Sequence, residues 1–112
     1  MIRAMPFRDL DPAQAATELR TEPSLRILDV RTQPEFEFHH LENAELVPIQ
    51  ELQDRVSELD PEASWLVLCE HGVRSQAACE FLTSLGFQDV RNVNGGMARW
   101  AGEGLTLDPR AD

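Results

Sequence analysis

The stretch Trp65-Leu66-Val67-Leu68 constrains this chain more than any other, because it offers no polar residue to either side. Successive side chains of a strand point to opposite faces, so an uninterrupted apolar strand needs a covering layer on both. Such a strand belongs inside a parallel sheet with helices above and below it. The flanking sequence agrees. Leu25-Arg26-Ile27-Leu28-Asp29-Val30 reads as a second strand and Val90-Arg91-Asn92-Val93 as a last one, with Glu45-Leu46-Val47-Pro48 as a short extended piece. Helical patterns alternate with these runs. Asp11-Pro12 is a helix start, with Asp as N-cap and Pro at the first helical position, and Leu10, Ala13, Ala16 and Leu19 then fall on one side. A short helix is expected over Pro34 to His40. Ile49, Leu52, Val56 and Leu59 keep helical spacing up to Asp60-Pro61. Ala78, Phe81, Leu82 and Leu85 do the same up to the stop at Gly86, and Gly95-Gly96-Met97-Ala98-Arg99-Trp100 opens a final turn or two. The expected class is α/β, with a mainly parallel central sheet flanked by helices on both faces.

A chain of 112 residues that is 42% hydrophobic can bury one core. A single domain over 1–112 is therefore expected, with its core at about 8–101 and a frayed tail over 102–112. No window reaches the roughly 18 consecutive apolar residues of a membrane span. Met1 to Pro6 lacks the apolar run of a secretory signal, and two cysteines do not make a disulfide framework, so a reducing cytoplasm is the expected location. The net charge of −10 argues against nucleic acid as a partner. Between Arg55 and Arg91 the sole cation is Arg74, amid Glu58, Asp60, Glu62, Glu70, Glu80 and Asp89. An arginine so isolated has either a specific role or a solvated place on the surface.

The apolar run leads directly into Cys69-Glu70-His71-Gly72-Val73-Arg74-Ser75. In open α/β sheets, ligands sit where strand ends meet helix N-termini. Backbone amides from Glu70 through Ser75, with the positive end of the following helix, would stabilise an anion at the loop's centre. A thiol there is expected to have its pKa lowered from about 8.5 toward or below neutrality. Gly72 suits the tight curvature, because so short a loop calls for a positive φ. Arg74 would offer a planar fork to an anionic substrate. Glu70 works against both, since a carboxylate beside a thiolate raises its pKa and repels anionic donors. The alternative is that Cys69 is an inert buried residue at a strand end.

Beyond the loop, five short motifs occur in order. Leu28-Asp29-Val30-Arg31 is followed by Glu35-Phe36 and His40-Leu41, then by the Cys69–Ser75 loop, by Gly86-Phe87 with Val90, and by Gly95-Gly96 with Trp100. Together they resemble the rhodanese family over roughly Leu10 to Trp100. The resemblance implies a single rhodanese-like domain acting as a sulfurtransferase. In that reading Cys69 is the nucleophile and Glu70, His71, Gly72, Val73, Arg74 and Ser75 form the substrate-binding loop. Sulfane sulfur would pass from a small donor, thiosulfate or a low-molecular-weight persulfide, to a persulfide on Cys69. It would pass on to cyanide, a thiol or a partner protein, with neither cofactor nor metal. His39 stands where the family has Gly, Glu42-Asn43 replaces Pro-Gly, and Pro34 comes one position late. Asn43 can still take the left-handed turn conformation. Glu70 stands where many thiosulfate-using members have a basic or neutral residue, and weak thiosulfate use follows as an expectation.

Asp29 and Arg31 are supporting candidates, either orienting the loop or forming a buried structural pair. His40 is expected near the loop as a packing or hydrogen-bonding residue rather than a base. His71 is expected to face solvent. Cys79 reads as a half-buried structural thiol. His39, His40, His71, Cys69 and Cys79 lack zinc-ligand spacing. Two rival functions differ in class. A cysteine phosphatase or arsenate reductase needs five residues between Cys and Arg, whereas four separate Cys69 from Arg74. A non-catalytic binding module would be less expected to retain Cys69, whereas an active loop of unusual charge could still belong to a sulfur carrier that serves a single protein partner.

Overall fold

The computed structural model describes residues 7–111, and Met1–Pro6 and Asp112, on which the leader reading and the ends of the expected domain rest, lie outside the described residues. Five parallel strands form one sheet in the order β1-β5-β4-β2-β3, from β1 (Arg8–Leu10), β2 (Arg26–Asp29), β3 (Glu45–Leu46), β4 (Ser64–Leu68) and β5 (Asp89–Val93). The expected class holds. β4 is central, and its two faces enter different cores. Trp65 and Val67 pack with Ala78, Cys79 and Leu82 of α4 (Val73–Ser84), together with Leu52 of α3 (Leu52–Arg55). Leu66 and Leu68 pack with Ala15, Ala16 and Leu19 of α1 (Pro12–Thr21) and with Met97 and Trp100 of α5 (Gly96–Gly102).

Local chemistry explains most boundaries. The Gln14 side chain accepts from the backbone N–H of Asp11 at 2.9 Å and closes the start of α1. α2 (Gln33–Phe38) opens with Thr32, whose hydroxyl accepts from Glu35 N while the Glu35 carboxylate accepts from Thr32 N at 2.9 Å. Asn43 takes φ 67° in the turn before β3, as its short amide side chain allows.

Three expectations are corrected and one strand is added. Ala13 is exposed and Ala15 buried, because the helix starts at Pro12 and its inward positions follow from there. The segment Ile49–Glu58 is a short α-helix between two 3₁₀ turns rather than one helix. Arg8–Leu10 is an edge strand beside β5, where a three-residue run with two charges carries no periodic signal. The tail is docked rather than frayed. Arg110 donates to the backbone carbonyls of Leu19, Glu22 and Leu25 at 2.7–3.0 Å, and the Leu107 carbonyl accepts from Glu42 N at 2.8 Å. A guanidinium at the end of α1 thus satisfies carbonyls the helix itself leaves open.

Candidate active site

The chain moves from β2 outward to β3, then returns to place β4 on the other side of β2. Ligand crevices of open α/β sheets lie at such reversals, outside the carboxyl ends of the strands. Cys69 follows β4 directly. Its sulfur accepts from Gly72 N at 3.1 Å and Ser75 N at 3.2 Å and lies 3.3 Å from the Ser75 hydroxyl oxygen. Cys69 is only 1% exposed, so a partner atom has to come down to the sulfur past the turn's rim. Gly72 has φ 92°, a left-handed conformation that reverses the chain at once. α4 therefore begins at Val73, inside the segment expected to be loop, and Arg74 and Ser75 belong to its first turn.

The turn is braced from below. Met97 N donates to Cys69 O at 2.8 Å and Ala98 N to Glu70 O at 2.9 Å, so the first turn of α5 fixes the two carbonyls beside the sulfur. Gly96, at φ 62°, makes this approach possible, since a Cβ there would collide with Cys69 O and the Glu70 carbonyl. Sequence reasoning missed this role. The adjacent glycines before a helix were its visible signal.

The charged residues fall into two linked groups. Arg31, 1% exposed, donates to Asp29 Oδ2 at 2.7 Å, to the backbone carbonyls of His39 and Glu35 at 2.8 and 3.2 Å, and to Glu70 Oε1 at 3.2 Å. Arg74 grips the Glu35 carboxylate with both terminal nitrogens, at 2.8 and 2.9 Å. Both pairs share the sequence separation of the strands they follow. β2 and β4 run parallel with Asp29 opposite Leu68, an offset of 39 residues, and Arg31–Glu70 and Glu35–Arg74 keep that same separation. Two expectations change accordingly. The Arg74 fork is taken by Glu35 rather than open to substrate, and the Glu70 carboxylate turns to Arg31, which offsets its charge.

The remaining candidates keep structural places. The ring of His40 stacks on Phe36 with centroids 3.8 Å apart, and its Nδ1 lies 2.8 Å from Phe36 O. His71 and Val73 are exposed on the rim. Cys79 is fully buried rather than half-buried, and desolvation pushes its thiol well above the usual range. Among the described residues, no group of three His, Cys, Asp or Glu could hold a metal, and no helix is long and apolar enough to cross a membrane.

The Arg74 guanidinium beside Glu35 holds the Glu35 carboxyl down at about 2, against desolvation, with Thr32 hydrogen bonds assisting. A carboxyl depressed on folding contributes stability that is complete above its ordinary value of 4.5 and lost as pH falls through the folded value. The Tm difference between wild type and Glu35→Gln is therefore expected to stay constant from about pH 7 to 5 and to close between 4.5 and about 2. Scanning calorimetry across that range checks it. A constant difference down to the acid limit would count against the pair.

The family model for the rhodanese-like domain matches residues 11–103. A Pseudomonas putida protein named thiosulfate sulfurtransferase GlpE is 34% identical over 94 residues, covering 84% of each chain. Its namesake from Coxiella burnetii is 34% identical over 93 residues, covering 83% of this chain and 87% of that one. Among solved structures, a rhodanese-related protein from Thermoplasma volcanium superposes with a TM-score of 0.82 at 33% identity, over 89% of this chain and 96% of that one. With the parallel sheet and the glycine turn around Cys69 that these matches span, the chain belongs to the rhodanese-like domain family.

Proposed function

We propose that this protein is a sulfurtransferase in which Cys69 carries sulfane sulfur as a persulfide. The observation that carries the proposal is the sulfur's setting: the backbone amides of Gly72 and Ser75 donate to Cys69 Sγ at 3.1 and 3.2 Å. Such donors stabilise a thiolate and then the persulfide anion that replaces it. The thiolate attacks the outer sulfur of the donor. A new S–S bond forms as the donor's own S–S bond breaks, and the electron pair leaves on sulfite from thiosulfate or on a thiolate from an organic persulfide. An acceptor then attacks the terminal sulfur and restores the Cys69 thiolate. Cyanide leaves as thiocyanate, and a small thiol or a protein thiol leaves as a persulfide. No net oxidation occurs, so no redox partner is needed. Two half-reactions through one covalent intermediate imply ping-pong kinetics. The names of the relatives agree with this reading, and two free cysteines suit a reducing cytoplasm.

A phosphatase reading fares worse, since only four residues separate Cys69 from Arg74 and that guanidinium is held by Glu35. Intact-protein mass spectrometry after incubation with thiosulfate, and separately with glutathione persulfide, tests the proposal under non-reducing conditions. Wild type is expected to gain one sulfur atom that cyanide removes. No gain with either donor, from folded protein with a free Cys69, would leave a non-catalytic binding module as the better reading.

A further inference from the structure

Arg74 is the only cation in the sequence between Arg55 and Arg91, and it sits in the first turn of the helix that cradles the sulfur. It lies close enough to Cys69 and Glu70 for their charges to act on it. In the absence of a partner it would be the obvious anchor for the sulfonate end of thiosulfate. Its partner is unusually well secured. Glu35 engages both terminal nitrogens of Arg74, and Glu35 Oε1 also accepts from Thr32 N at 2.9 Å and Thr32 Oγ1 at 3.0 Å. The carboxylate is thereby tied to its own helix start as well as to Arg74. Arg31, just past the end of β2, is shared by Asp29 and Glu70. These five linked side chains comprise three carboxylates and two guanidiniums, so they carry a net charge of −1 before the Cys69 sulfur is counted.

A dianionic donor needs more than amides. Two backbone donors can hold one sulfur atom, but the sulfonate oxygens of thiosulfate keep their own charge and require a cation or a further set of donors. An organic persulfide has no such head group at its reacting end. We infer that Glu35 is a specificity-determining positioning residue, which by occupying Arg74 disfavours thiosulfate and favours organic persulfides as sulfur donors. This inference rests on the sulfurtransferase reading. In the favoured half-reaction the Cys69 thiolate takes the terminal S–H of R–S–SH, giving the Cys69 persulfide and R–S⁻, with atoms and charge conserved. Glu35, rather than Glu70, becomes the residue that sets donor preference.

The test compares kcat/KM for thiosulfate with that for 2-hydroxyethyl persulfide, a donor with no second charge, using cyanide as acceptor. Wild type, Glu35→Gln and the double variant Glu35→Gln/Arg74→Gln are measured on the full chain, with folding followed by circular dichroism. Glutamine keeps an acceptor for Thr32 N but loses the charge that holds Arg74. In Glu35→Gln the thiosulfate-to-persulfide ratio is expected to rise about ten-fold, the scale of one charge-assisted hydrogen bond gained. The gain should appear mainly in the thiosulfate KM and vanish in the double variant. An unchanged ratio in Glu35→Gln, or a rise that persists without Arg74, would overturn the inference. So would loss of folding in both Glu35→Gln and Glu35→Ala, which would make the pair a structural brace. Wild type that turns over neither donor would remove the sulfurtransferase reading and the inference with it, and it is told apart by the absence of any persulfide.

Discussion

Cys69→Ser is expected to gain no sulfur from any donor and to lose turnover by at least about 10³-fold, the scale on which deletion of a covalent nucleophile is felt. The substitution is nearly isosteric, so it isolates chemistry from packing. A serine oxygen in the same place would still meet Gly72 N and Ser75 N, now 3.1 and 3.2 Å from the sulfur, and the turn should keep its shape. What serine lacks is the nucleophilic sulfur and its capacity to form a stable bond to sulfane sulfur. Cys79→Ala is the companion variant. Cys79 is fully buried on the α4 face and its thiol is pushed up by desolvation, so it should neither load sulfur nor resolve the Cys69 persulfide. Mass spectrometry and cyanide-dependent turnover read both variants together. Sulfur retained on Cys69→Ser, or lost from Cys79→Ala that is still folded, would move the reactive centre away from Cys69.

Arg31→Met is expected to destabilise the domain by about 3–5 kcal/mol, the scale of breaking a buried charge pair from one side. That is a large part of the roughly 5–15 kcal/mol that separates folded from unfolded domains. Arg31 is 1% exposed and Asp29 is fully buried. Removing the guanidinium leaves the Asp29 carboxylate without its counter-ion and leaves the carbonyls of Glu35 and His39 without their donor. It also frees Glu70, whose carboxylate would then face the sulfur's turn uncompensated. Slower sulfur loading should therefore accompany the lost stability. Urea unfolding measures the first effect as a lower midpoint with an unchanged slope. The double variant Asp29→Leu/Arg31→Met should recover part of the loss, because it buries no unpaired charge. A single variant within about 1 kcal/mol of wild type would show that Asp29 finds solvent or another partner, against the burial seen here.

Much of this was legible in consecutive residues. The run Trp65–Leu68 carries its own requirement for two covering layers, and the two hydrophobic clusters that divide its side chains meet that requirement. Gly72 announces a reversal, Cys69 stands just before it, and Asp11-Pro12 and Gly86 mark helix ends wherever the tertiary structure goes. These signals are short-range: periodicity, capping and the conformational freedom of glycine act within a few residues of where they are written. The edge strand Arg8–Leu10 escaped because its pairing is a property of β5, and the docked Arg110 because its three carbonyl partners lie 85–91 residues away.

The charges of the site were decided in the same way. Nothing near Arg74 in the sequence indicates Glu35, and nothing near Glu70 indicates Arg31. The sequence alone determined an α/β sheet with a cysteine at the end of its central strand and a glycine to turn the chain around it. Only the tertiary structure decided that the cysteine's arginine is already occupied. The parallel register of β2 on β4 sets side by side the segments that follow the two strands, and there the two carboxylates meet the two guanidiniums. That register follows from how apolar faces pack across the whole sheet, a collective property that no local stretch of sequence records.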